Sequence, residues 1–169
     1  MIYLIWLLRI IHIVAGVFWV GGVLMMTFFI APTIGATAEA GQKFAGHLMG
    51  NLKFSIRMSV AAGLTILAGG ILYWIDSNGF TSAWMTSGAG QGFGAGAGSA
   101  IIGFIFGILL RRTTKAMALL GAKLQGKPSP EQITQMQALQ KQQTTYSNIT
   151  AVMLVIALIF MSIARYFTF

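Results

Sequence analysis

Four long apolar runs, separated by more polar connections, dominate this chain. Lipid offers no partner to an open backbone N–H or C=O, so such runs cross a bilayer as helices. A spanning helix needs about 20 mostly apolar residues. The first run covers residues 3–31 and is closed by Pro32. The second covers 52–75, with a helical extension back to Thr37. The third is shorter: only residues 97–110 precede Arg111 and Arg112, so to cross it must recruit the small-residue stretch 88–96. The fourth covers 149–169. The expected fold is all-α: a single-domain (1–169) integral membrane four-helix up-down bundle with spans at 3–31, 52–75, 88–110 and 149–169.

The first run is too long for a signal peptide and no basic segment precedes it, so it is expected to remain as a span. Carboxylates are nearly missing from the chain. Glu39, Asp76 and Glu131 are the only ones, and each falls at an expected helix end or loop. Proton relays and cation sites in membranes use an acid within a span. A proton-coupled carrier or a carboxylate metal enzyme is therefore not expected. The absence of cysteine excludes disulfides, thiolate metal sites and thiol nucleophiles. The net charge of +8 does not indicate nucleic acid, because the basic residues flank apolar spans rather than forming a soluble basic face.

Connections and orientation can be read as well. Thr37 with Glu39 matches a helix start, an N-cap hydroxyl followed by an acid in the first turn. Ser129-Pro130-Glu131-Gln132 has an N-cap serine, proline at the first helical position and glutamine at the capping-box position. That helix is expected to run on through Ile133, Met136 and Leu139 into the fourth span. Met117, Leu120 and Leu124 carry the third helix beyond the membrane, and Gly126-Lys127-Pro128 closes the turn. The result is a helical hairpin at 111–148 with a narrow apolar seam and a Gln-rich outer face. Lys43, Lys53, Arg57, Arg111, Arg112, Lys115, Lys123, Lys127 and Lys141 flank the first and third connections, and only Arg9 and Arg165 lie toward the other side. The positive-inside rule then puts both of those connections in the cytoplasm, with helices 2, 3 and 4 extended on that side, and both termini outside. Tyr3, Trp6, Tyr73, Trp74, Trp84 and Tyr166 would form the outer aromatic belt.

Arg9 and His12 lie one turn apart on one face of the first helix, with Gly16 and Trp19 near that face. Arg9 and Arg165 can extend to the outer interface, whereas His12 should face the bundle interior. Residues 88–98 alternate glycine with other residues, mostly alanine, without the spacing of a dinucleotide fingerprint. Two readings of this stretch stand. Gly92, Gly96, Ala100, Gly103 and Gly107 are small-xxx-small steps that let helices touch. Alternatively, Gly92 and Gly96 leave a slot that a flat ring can enter. A haem b would use these parts together: His12 Nε2 on the iron, Arg9 and Arg165 on the propionates, glycine for space. His47 cannot be the second axial ligand, because it lies about 13 Å from His12 in height at 1.5 Å per residue. Met161 is nearer in height. The ten methionines are scattered along apolar faces as ordinary fillers rather than copper ligands.

The segment Arg9-Ile-Ile-His12-Ile-Val-Ala-Gly16-Val-Phe-Trp19-Val-Gly21-Gly22 resembles the opening helix of several bacterial membrane families. Similar R-x-x-H…W-x-G segments open the membrane part of cytochrome-linked urate oxidases and recur in copper-resistance D-type proteins. The whole chain is similar to a group of bacterial four-helix integral membrane proteins of uncharacterised function. That similarity includes Ala83-Trp84 and the segment Pro128-Ser129-Pro130-Glu131-Gln132. The resemblance implies four helices, the bacterial inner membrane and a redox or metal role carried by His12, Arg9 and Trp19. Two functions are therefore expected to compete. One is electron transfer by a haem b at His12 near the outer surface, with quinone as partner. The other is a non-catalytic structural or accessory subunit of a membrane complex, including a homo-oligomer joined through small-residue faces. A channel built from an oligomer is a third reading, with Arg9, Arg57 and Arg165 attracting anions.

Overall fold

The computed structural model describes residues 1–123 and 128–168, and no strand occurs among them. Five helices follow in order: α1 Ile2–Ala36, α2 Ala38–Gly46, α3 Phe54–Asp76, α4 Gly88–Ala122 and α5 Pro130–Ile163. Four of them are long and apolar enough to cross a bilayer, and α2 is the exception. The chain is an all-α, multi-pass membrane protein with four spans.

The helices pack as two antiparallel pairs. On α1, Gly22 lies against Met58 of α3, Gly16 against Thr65, and Gly69 of α3 against His12. On α4, Gly92 lies against Ala164, Gly96 against Met161 and Gly103 against Leu154. Both registers run in reverse order, as an up-down topology requires. The pairs meet at a core made of Trp19, Ala61, Ala62 and Leu154, with Phe104 packed edge-on to Trp19 at 6.3 Å. Trp19 is the large side chain at the centre, and it is only 4% exposed. Alanine supplies most of the rest of the buried surface, because helices without a hydrophobic driving force between them hold together by close van der Waals approach. Polar ties join the pairs. Thr27 Oγ1 meets Ser147 Oγ at 2.7 Å, and Arg111 Nη1 donates to Ser59 Oγ at 3.3 Å.

The first span runs past its expected stop. Pro32 does not close it; the helix continues to Ala36 through a π-helical turn at Met26–Ile30. Proline has no N–H and crowds the carbonyl four residues back. The wider turn immediately before it accommodates that gap, and Thr33 Oγ1 donates to Phe29 O at 2.7 Å. The second span, in contrast, does not extend back to Thr37. Lys53 breaks it with a left-handed backbone (φ 51°), and α2, with a π turn at His47–Asn51, stands apart. Thr37 does not cap α2 through its side chain; its hydroxyl donates to Thr33 O instead. Gly41 of α2 presses so closely on the Ile34 carbonyl oxygen that no Cβ fits there.

The third helix begins at Gly88 and remains helical through the whole glycine stretch, with Ser87 Oγ accepting from Gly90 N at 3.2 Å. The capping box at α5 is complete. Ser129 Oγ accepts from Gln132 N, and Gln132 Oε1 accepts from Ser129 N at 2.9 Å. Beyond the core, α4 and α5 continue side by side with Met117, Leu120, Met136 and Leu139 half-buried along the hairpin seam. Leu124, Gly126 and Lys127, the expected tip, lie outside the described residues.

Candidate functional site

His12 is half-buried and faces α3, not lipid. Its Nδ1 lies 2.8 Å from the backbone carbonyl of Thr65. A carbonyl can only accept, so Nδ1 carries the proton and donates. In the neutral ring this leaves the Nε2 lone pair free, and Nε2 has no hydrogen-bond partner among the described residues. The ring is also pinned from one side. A Cβ at Gly69 would come within 2.7 Å of His12 Cε1 and 2.8 Å of Nδ1. Glycine is required here because backbone and imidazole occupy the space a side chain would need. Thr65 itself is buried, and its hydroxyl donates to Ala61 O.

The other expected site residues are placed elsewhere. Arg9 is exposed, one turn from His12, and makes no hydrogen bond or ion pair among the described residues. Arg165 is exposed in the last turn of the chain, with its guanidinium 5.2 Å from the ring centre of Tyr166. Gly92 and Gly96 are buried against the end of α5. A Cβ at Gly92 would reach 2.9 Å from both Ala164 Cβ and Phe167 Cδ2. One at Gly96 would reach 3.1 Å from Met161 Cε and 3.2 Å from Phe160 Cβ. These two glycines therefore form the seat of α5, and no ring-sized slot is open at them. Met161 is engaged in the same contact. His47 is exposed at the opposite end of α1–α3, where its carbonyl accepts from Leu52 N.

At the end that carries the termini, aromatic rings form a connected cluster. Tyr73 lies 5.2 Å from Trp84, which stacks on Phe93 at 6.3 Å, and Tyr73 Oη donates to Gly90 O at 3.2 Å. That bond joins α3 to α4 and sets the height of the glycine stretch. Gly69 lies one turn from Tyr73, so His12 and the glycine-rich part of α4 share a level while facing different neighbours. Trp19, carried over by resemblance, serves the core rather than the His12 site. Among the described residues no group of three His, Cys, Asp or Glu side chains comes together as a metal site. Two surface clefts are lined by Pro128, Gln132, Ile133, Met136, Gln137 and Gln140 (about 240 Å³) and by Phe28, Ala151, Val152, Val155 and Ile156 (about 170 Å³). Neither contains His12, and both are smaller than the roughly 300–1,000 Å³ of ordinary ligand pockets.

Compared with known proteins, the chain matches no family model, no curated protein and no solved structure. The fold and the geometry above define the class directly: a four-span helical membrane protein with a single oriented histidine inside the bundle.

Proposed function

We propose that this chain is a structural or accessory subunit of a bacterial inner-membrane assembly, with the basic end of the bundle in the cytoplasm and both termini outside. The reading rests on α1. Trp6, Ile13 and Val17 are exposed along one stripe of that helix, and Arg9 lies among them without a protein partner. An unpaired Arg costs at least ~2.5 kcal/mol near the bilayer centre and less toward the interface. A neighbouring subunit covering this stripe supplies the guanidinium with an acceptor and closes the exposed side of α1. Gentle solubilisation from the native membrane tests it. The expected result is a complex that Arg9→Ala loosens; a monodisperse protein free of partners would sink the reading.

A second reading, haem b at His12, is favoured by one observation. The Nδ1–H bond to Thr65 O holds the ring in the tautomer that a metal-ligating imidazole uses, with Nε2 free. His12 would hold the iron and Arg9 and Arg165 the propionates, and haem supplies one-electron chemistry when bound. The donor fits; the wall at Gly92 and Gly96, taken up by α5, does not provide the space. A quinone partner depends on the haem being present. An absorption spectrum of protein purified with haem available decides the matter. A Soret band lost in His12→Ala supports this reading, and a spectrum without the band removes it.

A further inference from the structure

We infer that the α3/α4 seam at the basic end is a binding site for an anionic phospholipid. Arg111 is the starting point. Its guanidinium reaches across from α4 to Ser59 Oγ on α3, a neutral partner that uses one of its five N–H donors. Arg112 and Lys115 follow on the same helix, and Lys53 opens α3; all three are exposed.

No carboxylate neutralises them. The single ion pair among the described residues is Lys43 with Glu39, and the Glu131 carboxylate accepts from Ser129 Oγ. Asp76, the third acid, closes the far end of α3. The cations at the seam therefore need counter-ions from outside the chain.

The surface beside them identifies the source. On α4, Arg112 is followed by exposed Ile108, Ile105 and Ile101 at helical steps of four, three and four. On α3, just beyond Lys53 at its start, exposed Ile56, Val60 and Leu67 share one face. Each helix thus presents a cation and then an apolar stripe running toward the opposite end of the bundle. An acidic soluble protein would match the cations alone. A two-tailed lipid matches both parts, with its phosphate between Arg111, Arg112 and Lys53 and one acyl chain on each stripe. Basic pockets between spanning helices are known to recruit anionic head groups in this way.

Native mass spectrometry with phosphatidylglycerol or phosphatidylcholine, on protein purified in neutral detergent, tests the site. The wild type should retain phosphatidylglycerol over phosphatidylcholine, and salt should weaken the preference. Each cation removed should cost about fivefold in affinity, so R111Q/R112Q should lose on the order of 25-fold. Ser59→Ala, which keeps the charge and frees Arg111, should lose less than R111Q. Equal retention of the two lipids overturns the inference. So does unchanged phosphatidylglycerol affinity in R111Q/R112Q, or loss of a bound acidic protein from that variant with lipid affinity intact. Should the double variant fail to fold, Lys53→Gln gives the same reading, with about a fivefold loss expected, through an exposed side chain that makes no hydrogen bond or ion pair among the described residues.

Discussion

Replacing Gly69 by alanine should destabilise the bundle, while the same change at the adjacent Gly70 should not. At Gly69 the new methyl lands 2.7 Å from His12 Cε1 and 2.8 Å from Nδ1. That is at least ~0.8 Å inside ordinary carbon contact. The imidazole is no loose chain end: it has two torsions, and its Nδ1–H is tied to Thr65 O. It must tilt, and overpacking of this kind costs about 1–3 kcal/mol. Losing the hydrogen bond adds roughly 1 kcal/mol. Alanine returns up to about 1 kcal/mol as a better helix former. The net expectation is a loss of about 1–3 kcal/mol. At Gly70 a Cβ meets nothing within 4 Å, so only the helix term remains and stability should be unchanged or rise by up to about 1 kcal/mol. Reversible unfolding in mixed micelles, followed by far-UV circular dichroism during titration with denaturing detergent, measures both. The double variant H12A/G69A isolates the cause, because removing the ring removes the collision. The two substitutions should couple by about 1–3 kcal/mol, against a few tenths for independent sites. Equal stability of G69A and G70A, or no coupling with His12→Ala, would refute the account of how His12 is seated.

Gly92→Ala should cost a similar 1–3 kcal/mol by pushing on Ala164, whose Cα and Cβ lie 3.0 and 2.9 Å from the added carbon; Gly98→Ala, with nothing nearby, is its neutral control in the same titration. Ser129→Ala removes the capping box of α5 and should lower stability by about 1 kcal/mol, read as fraying of the polar hairpin in amide exchange. Orientation is open to single-cysteine labelling without background, since the chain has no cysteine. Asn78→Cys should react with an impermeant maleimide in intact spheroplasts, and Gln137→Cys only after lysis; the reverse pattern would invert the topology. Ser147→Ala should cost about 0.6 kcal/mol by removing the Thr27 bond, in line with other hydrogen bonds between spanning helices.

What could be read from the sequence follows from local physics. Hydropathy over a window of about 20 residues is a property of one segment, so the number of spans was readable before any packing was known. The α5 start was equally plain, because its cap needs only Ser129, Pro130 and Gln132, within a single turn. The errors at Pro32 and Thr37 have another source. A π turn before a proline and a left-handed lysine are backbone states that carry little residue signature.

Which faces of the helices meet was decided by tertiary structure alone. A soluble helix marks its inward side by amphipathicity, but these spans are apolar all round, and lipid accepts any face as readily as protein does. The sequence therefore determined that His12 and the glycines lie in the membrane, and at similar depth. Only the packing decided that the imidazole belongs to Thr65 and Gly69 of α3, and that Gly92 and Gly96 belong to α5. The reason is steric: the pairing rests on where a missing Cβ lets two backbones approach, and that depends on both helices at once.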